Sequence, residues 1–393
     1  MNLQFDVVII GGGPVGAALA LALRASKLKV CVLEARSANA TSQDARALAL
    51  SYGSRLLLER LGVWNTLHDI STICTIHVSQ RQSFGRTVLR ASELGVPELG
   101  YVLPYPTLQD ALTRALQDSD IASIYSASVT RLTGEDSATI EYQQNGTEET
   151  LHARLAVVAD GGKLLAQQFP PKVHDYGQSA LIAHVACTAP QTDTAFERFT
   201  PQGPLALLPF KEGYELVWTA PHQLAGEMLV WDDARFLHEL HMHFGDRVGS
   251  FLTVGKRSCF PLGLKRAPSA TPMPHTVLLG NAAQTMHPVA GQGFNMGLRD
   301  AWELALQILD VVVPNMFTAR IRSYTVGPMN ARARASAMTI RIEMLAAANI
   351  RTPVPAPVGP SCLPAMRRRP RASGHVPGFH RPRWPVSRCR VSG

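Results

Sequence analysis

Cysteine is scarce in this chain and shows no metal-binding pattern. The 393 residues include six cysteines, and none of them lies in a CxxC motif or at another metal-ligand spacing. We therefore expect no metal site and no disulfide framework. Free thiols in a reducing compartment are the better interpretation.

An uninterrupted membrane-spanning or signal segment is also missing. Residues 7–23 contain no charge, but Gly11 to Pro14 interrupt this run, and Asp6 stands where a signal peptide would carry Lys or Arg. The pattern predicts a cytoplasmic protein. Peripheral contact with the inner face of the cytoplasmic membrane stays open as an alternative.

Acidic residues are absent from the last 43 residues. The whole chain carries a formal charge of +8, the segment from Arg351 onward carries +9, and residues 1–350 are left at −1. The basic charge therefore does not belong to the body of the chain, and we expect no nucleic-acid partner.

A glycine-rich turn near the start is the first motif that indicates a ligand. The segment FDVVIIGGGPVGAALALALRASKLKVCVLEAR predicts a strand, a turn, a helix and a second strand that ends in Glu34. Gly11 would make the turn, Gly13 would admit a pyrophosphate to the backbone, and Gly16 would let the helix lie close to the strand. Glu34 is placed to bind an adenosine ribose. This βαβ unit predicts dinucleotide binding and does not separate FAD from NAD.

Two later segments also combine glycines with polar residues. LAVVADGG predicts a short strand that ends at Asp160, at the edge where parallel sheets bind ligands, although Asp-Gly also occurs in plain turns. GNAAQTMHPVAGQGFN predicts a loop before a helix, in which Gly291 and Gly293 would leave backbone N–H groups open to a flavin. His287 in this loop is a candidate catalytic base, with a structural histidine as the alternative.

The middle of the chain predicts a different kind of sheet. Residues 73–89 and 179–260 alternate apolar and polar residues in runs that are typical of antiparallel strands. Residues 44–61 predict a helix closed by Gly62, with Arg46 near its start as either a ligand-binding or a solvated arginine. The predicted fold class is therefore α/β, with a Rossmann-like domain and an inserted, mainly antiparallel substrate domain.

These motifs stand in the order of a known family. GGGPVG with Glu34, ADGG at Asp160 and GNAAQTMHPVAGQGFN resemble the motifs of class A flavin monooxygenases of the p-hydroxybenzoate hydroxylase fold. The segments DARALALSYGSRLLLERLGVW, ERFTPQGPLALLPF and GNAAQTMHPVAGQGFNMGLRD resemble the ubiquinone-biosynthesis hydroxylases, most of all the branch that acts on 2-octaprenyl-6-methoxyphenol. The resemblance covers about residues 3–310.

The resemblance implies one extended FAD as the cofactor. Its pyrophosphate would lie on residues 11–16 and its adenosine ribose on Glu34. Arg46 would reach the phosphate on the flavin side, and Asp160 would help to hold FAD and admit NADH or NADPH. The full set of implied cofactor-binding residues is Gly11, Gly13, Pro14, Gly16, Glu34, Arg46, Asp160, Gly161, Asn281, Pro288, Gly291, Gly293 and Asn295.

Two positions depart from the family pattern. Asn281, which would lie beside the ribityl chain, stands where the family usually has Asp, so the acceptor is kept and the charge is lost. Leu164 stands where the family commonly has Ser after the Asp-Gly pair, which leaves the handling of NAD(P)H open.

The implied activity is hydroxylation of a polyprenyl-phenol ring in ubiquinone biosynthesis, with NAD(P)H and O₂, through a C4a-hydroperoxyflavin. The apolar strand 205–210 would suit such a substrate, and a membrane surface and other proteins of the pathway are expected partners. Two alternatives remain: an FAD-dependent oxidoreductase without oxygenation, and a catalytically silent flavoprotein-like scaffold of the biosynthetic complex.

The same reasoning divides the chain into segments. Residues 351–393 hold nine Pro and nine Arg without periodicity, which indicates either a lost reading frame or a disordered basic tail that touches anionic lipid. The predicted FAD-binding domain comprises 1–72, 100–175 and 270–312, the substrate domain comprises 73–99 and 176–269, and 313–350 is an uncertain helical segment.

Overall fold

The first sheet of the protein contains the predicted βαβ unit. The computed structural model describes residues 4–40, 44, 46–82, 85–285 and 292–312. Its seven-stranded sheet has the order β8-β2-β1-β11-β10-β9, and β18 pairs with β11. The strands are β1 (Phe5–Ile10), β2 (Val30–Glu34), β8 (Ala122–Tyr125), β9 (Ala127–Gly134), β10 (Ala138–Gln144), β11 (Thr147–Val158) and β18 (Thr276–Leu278).

The pairing in this sheet changes from parallel to antiparallel along one strand. β1, β2, β8 and β18 are joined through parallel pairs, whereas β9 and β10 form antiparallel pairs that lead into β11. The sequence predicts two separate strands around Leu151 and 155–160, and the structure joins them into one 12-residue strand. Asn145 and Gly146 make the hairpin turn between β10 and β11, both at positive φ.

Seven helices are found in the described ranges, and three of them cover the parallel strands. They are α1 (Pro14–Leu23), α2 (Tyr52–Arg60), α3 (Ala91–Leu94), α4 (Tyr105–Gln117), α5 (His222–Val230), α6 (Asp233–Phe244) and α7 (Gln292–Val312). α1 consists almost wholly of Ala, Leu, Val and Gly, and most of its residues are buried. It packs between α4, α7 and the sheet because it has no polar face.

A second sheet of nine strands has one face on helices α5 and α6. Its order is β19-β17-β12-β15-β14-β13-β5-β6, with β16 beside β12, and of these pairs only β13 with β5 is parallel. Trp218, Phe236 and Phe244 lie in the core between this face and the helices. The strands are β5 (Thr75–Gln80), β6 (Arg86–Arg90), β12 (Lys172–Cys187), β13 (Thr194–Thr200), β14 (Gly203–Phe210), β15 (Gly213–Pro221), β16 (Phe251–Val254), β17 (Ser258–Arg266) and β19 (Gln284–Thr285).

The predicted helix 44–61 is wrong in its first half. Residues Ala47–Ser51 form β3, which pairs with β7 (Gly100–Pro104) in a three-stranded sheet completed by β4 (Ser71–Ile73). The Ser51 hydroxyl then accepts a hydrogen bond from the Ser54 N–H and caps α2. The cap fixes the start of the helix at Tyr52, and Gly62 follows its end at positive φ as expected.

Within these ranges, no helix combines the length and the apolar composition needed to cross a membrane. The assignment of the two large sheets to two domains, with the boundaries given above, stays a prediction.

Candidate functional site

The two glycine-rich turns lie against each other through a single side chain. A Cβ atom at Gly280 would lie 3.2 Å from Cγ1 of Val15, and one at Gly297 would lie 2.9 Å from Cγ2 of the same residue. Val15 belongs to the first turn of α1, whereas the two glycines flank the start of α7. Glycine at both positions therefore lets the later loop approach the first one closely.

Inside the first turn, each predicted glycine has a geometric reason. Gly11 has a φ of +110°, and a Cβ there would lie 2.6 Å from the Ala159 carbonyl oxygen. A Cβ at Gly16 would overlap the carbonyl oxygen of Gly11. At Gly13 no atom lies within 4 Å of the added Cβ, so this backbone faces open space. The turn is thus closed on its inner side and open where a pyrophosphate would bind.

The start of α1 leaves backbone donors for a ligand. Gly13 is the N-cap and Pro14 the first helical residue, and no side chain caps the helix. The uncapped N–H groups and the helix dipole favour a negatively charged group at this point. The residues present therefore fit the pyrophosphate of a dinucleotide.

A single cavity joins the two turns. It has a volume of about 1500 Å³, and both Gly13 and Gly293 line it. Small-molecule sites are usually about 300–1,000 Å³. The cavity therefore has room for a cofactor together with a second molecule.

Glu34 lies on this cavity and is already held by the protein. Its Oε2 accepts the Gly12 N–H at 2.7 Å, and its Oε1 accepts the backbone N–H and Nε of Arg36, each at 2.9 Å. Burial by itself would raise the pKa of Glu34, but the hydrogen bonds and charge of Arg36 lower it below its ordinary value. Glu34 is thus kept as a carboxylate, the form that accepts hydrogen bonds.

Arg46 lines the same cavity, outside any helix. Its guanidinium pairs with Asp44, with Nε 2.7 Å from Oδ1, and lies 5.3 Å from the centre of the Phe260 ring. The ion pair raises the pKa of Arg46 and, despite partial burial, lowers that of Asp44. Asp44 therefore holds Arg46 at the cavity wall, next to β17.

Asp160 organises the turn that follows β11. Its carboxylate accepts the N–H groups of Gly162 at 2.8 Å, Lys163 at 3.0 Å and Leu164 at 2.6 Å. Gly161 has a φ of +81° and lines the cavity with Asp160. The sequence offered a plain turn and a ligand site as alternatives, and the structure shows the turn-forming contacts at the cavity edge.

This turn also contacts the third motif. A Cβ at Gly162 would lie 3.2 Å from the carbonyl oxygen of Asn281, and Asn281 itself lines the cavity. Asn281 belongs to a short 3₁₀ helix, 280–282, directly after β18. All three motifs thus meet at the carboxyl ends of β1, β11 and β18.

Asn295 has a structural role that the sequence did not indicate. Its Oδ1 accepts the Ser51 N–H at 2.8 Å and the Ser54 hydroxyl at 2.6 Å, and its Nδ2 donates to the Ala49 carbonyl at 2.8 Å. These bonds fasten the start of α7 to the junction of β3 and α2. The cofactor-binding candidates Pro288 and Gly291 and the catalytic candidate His287 lie outside the described residues.

Three polar residues of the cavity region were missed by the sequence reasoning. Arg36, two positions after Glu34, lines the cavity and holds that carboxylate. Gln109 is 2% exposed and donates to the Gly12 carbonyl at 3.2 Å, which supports the turn from behind. Glu197 lines the cavity from β13. Arg36 could have been found from the sequence, because it lies only two positions after Glu34. The positions of Gln109 and Glu197 near the turn and the cavity depend on the tertiary fold and could not.

Much of the remaining cavity wall is apolar and comes from the second sheet. The sequence pointed to strand 205–210 for the substrate, and alternate residues of this strand line the cavity. Ala206 and Leu208 line the cavity, whereas Leu205 and Leu207 are fully buried in the core against α5 and α6. Successive residues of a strand face opposite sides, so only half of the strand reaches the cavity.

Comparison with known proteins identifies the family. The family model described as FAD binding domain matches residues 4–337. The chain belongs to this FAD-binding family. It is 35% identical to an uncharacterised protein of Synechocystis sp., over 77% of this chain and 74% of the relative. It is 32% identical to the 3-demethoxyubiquinol 3-hydroxylase of Escherichia coli, covering 79% and 80%, and 32% identical to ubiquinone hydroxylase UbiL of Rhodospirillum rubrum, covering 77% and 72%.

Solved structures give the fold of this family member. PqsL of Pseudomonas aeruginosa, solved in complex with 2-aminobenzoylacetate, superposes with a TM-score of 0.67 at 17% identity, over 88% of this chain and all of that chain. The predicted p-hydroxybenzoate hydroxylase-like fold is confirmed. FAD as the cofactor and an FAD-dependent aromatic hydroxylase as the enzyme class are confirmed as well.

Proposed function

We propose that this hydroxylase adds a hydroxyl group to the ring of a polyprenyl-phenol in ubiquinone biosynthesis, with NAD(P)H and O₂ as co-substrates. The cavity carries this proposal, because the glycine-rich turns and a largely apolar sheet face both line it. Two relatives with ubiquinone-pathway names support the choice of substrate.

The residues divide between cofactor and substrate. Gly11, Gly13 and Gly16 with the start of α1 would hold the pyrophosphate, and Glu34 would hold the adenosine ribose. Asn281 and Gly293 border the part of the cavity where the flavin ring would lie. When bound, FAD supplies the reduction and oxygen-activation chemistry. The protein positions the ring and excludes water from it.

The apolar wall accounts for the substrate class. Ile182, Ala206 and Val217 present aliphatic side chains in register on three neighbouring strands. Such a surface favours a phenol with an apolar ring substituent over a charged aromatic acid. A polyprenyl chain partitions into lipid, so peripheral contact with a membrane is part of this proposal.

Reconstitution with FAD tests the proposal. Purified protein is loaded with FAD and incubated in air with NADH or NADPH and a short-chain prenyl-phenol. The masses of the products are then measured by mass spectrometry. We expect a product one oxygen atom heavier than the phenol. NAD(P)H oxidation without this product would indicate an oxidoreductase without oxygenation, and protein that takes up no flavin would indicate a silent scaffold.

Complementation identifies the ring position. Bacterial strains that each lack one ring hydroxylase of the ubiquinone pathway receive the gene, and their quinone intermediates are compared. We expect one accumulated phenol to disappear in one strain. Growth of none of the strains would contradict a role in this pathway.

A further inference from the structure

One carboxyl group lies within the apolar wall of the cavity. Glu197 is on β13, where it pairs with Val78 of β5 on one side and Ala206 of β14 on the other. Ala206 in turn pairs with Val217, and Val217 pairs with Ile182. All five residues line the cavity. Glu197 is thus the single polar member of a row that crosses five strands.

The strand pattern confirms which side of β13 this carboxyl occupies. Ala195 and Phe199, two residues before and after it, also line the cavity. Arg198, the residue after Glu197, is not part of the cavity wall and donates to the His243 carbonyl at 2.9 Å on the opposite side of the strand. Glu197 therefore lies on the side of β13 that lines the cavity, where its side chain is half-buried.

The protein provides no partner for this carboxyl within the described ranges. No hydrogen bond or ion pair to its side chain is found there, and burial is the one cause that shifts its pKa, which rises to about 7. Its two cross-strand neighbours are Val78 and Ala206, so no charge faces it from β5 or β14. The other titratable side chains of the cavity wall are Glu34, Arg36, Arg46, Tyr105, Asp160 and Lys163.

A half-buried carboxyl without a protein partner in the described ranges costs free energy, and a ligand hydroxyl would relieve that cost. We propose that Glu197 binds the hydroxyl group of the phenol substrate and accepts its proton during hydroxylation. The phenolic O–H bond breaks, the proton moves to a carboxylate oxygen of Glu197, and the electron pair stays on the phenolic oxygen. This pair makes the ortho and para carbons more electron-rich, and the step itself needs no oxidant.

This assignment rests on the proposed phenol substrate, and a binding experiment tests it without turnover. The FAD-loaded protein is titrated by calorimetry with a 2-prenylphenol and with its methyl ether, which lacks the hydroxyl proton. We expect the wild type to bind the phenol at least tenfold more tightly than the ether. Glu197→Leu should reduce this difference to less than threefold. Glu212→Gln, in the exposed turn after β14, is the matched acidic control and should leave the difference unchanged.

The rate of hydroxylation and its pH dependence provide a second test of the role of Glu197. Glu197→Gln should take up FAD like the wild type, lower kcat for hydroxylation at least tenfold, and remove the ionisation near pH 7 from its pH profile. Glu197→Asp should restore part of the rate and the ionisation. An unchanged pH profile together with an unchanged preference for the phenol over the ether would overturn the assignment. If the wild type hydroxylates no phenol yet still prefers the phenol to its ether, the proposed function fails while this site stands.

Discussion

The half-buried carboxyl of Glu197 should make the protein less stable as the pH rises. Its pKa is 4.5 in an unfolded chain and about 7 in the folded protein. Between these values the folded state keeps the proton while the unfolded state releases it, so the free energy of unfolding falls with pH. This loss of unfolding free energy, the penalty for ionising Glu197 in the folded protein, is absent below pH 4.5 and reaches its full size above pH 7. One pKa unit equals about 1.4 kcal/mol, which gives a penalty of at most about 3 kcal/mol.

Urea unfolding of the wild type and Glu197→Gln measures this penalty. Both proteins are unfolded at a series of pH values from 4.5 to 8, without substrate. Gln cannot ionise, so the difference in unfolding free energy should shift in favour of the variant by up to about 3 kcal/mol across this range. Glu212→Gln should follow the wild type at every pH. Parallel pH curves for wild type and Glu197→Gln would refute the reasoning.

Three further substitutions test the cofactor half of the cavity. Gly16→Ala should abolish FAD uptake, measured by flavin absorbance after gel filtration, because its Cβ would overlap the Gly11 carbonyl, whereas Gly53→Ala, with no atom nearer than 3.7 Å, should bind FAD normally. Asn295→Ala removes three hydrogen bonds and should cost about 3 kcal/mol in urea unfolding; a loss under 1 kcal/mol would contradict the anchoring role. Asp160→Asn replaces a carboxylate that accepts three N–H groups with one acceptor oxygen and should cost about 1–2 kcal/mol by the same assay.

Local patterns predicted the nucleotide-binding half of the fold well. The strand, turn and helix from Phe5 to Leu23 match the prediction closely, because they form one short segment in which Gly16 is required by its contact with the Gly11 carbonyl, five residues earlier. The helix that begins at Gln292 was expected at 293. Where the backbone approaches another atom this closely, only glycine leaves enough space. The spacing of glycines in the sequence therefore indicates where such close contacts occur.

Contacts between distant segments could not be predicted in the same way. The segment 47–51 has helix-forming residues, but pairing with β7 makes it a strand. Asn295 was expected to bind the cofactor and does line the cavity, but nothing in the sequence indicated that its side chain ties α7 to Ser51 and Ser54, more than 240 positions earlier. Glu197 stands in an ordinary alternating strand, and only the register with β5 and β14 shows that it faces the cavity.

The close packing around Val15 explains how the first glycine-rich turn and the start of α7 come to line one cavity. Val15 is β-branched and rigid, so the loop that meets it must supply the space, and glycine at 280 and 297 does so from two directions. A larger residue at either position would push α7 away from α1. The uncapped start of α1 and the start of α7 would then no longer face one volume. The small residues at 280 and 297 thus determine whether a single extended cofactor can reach both turns.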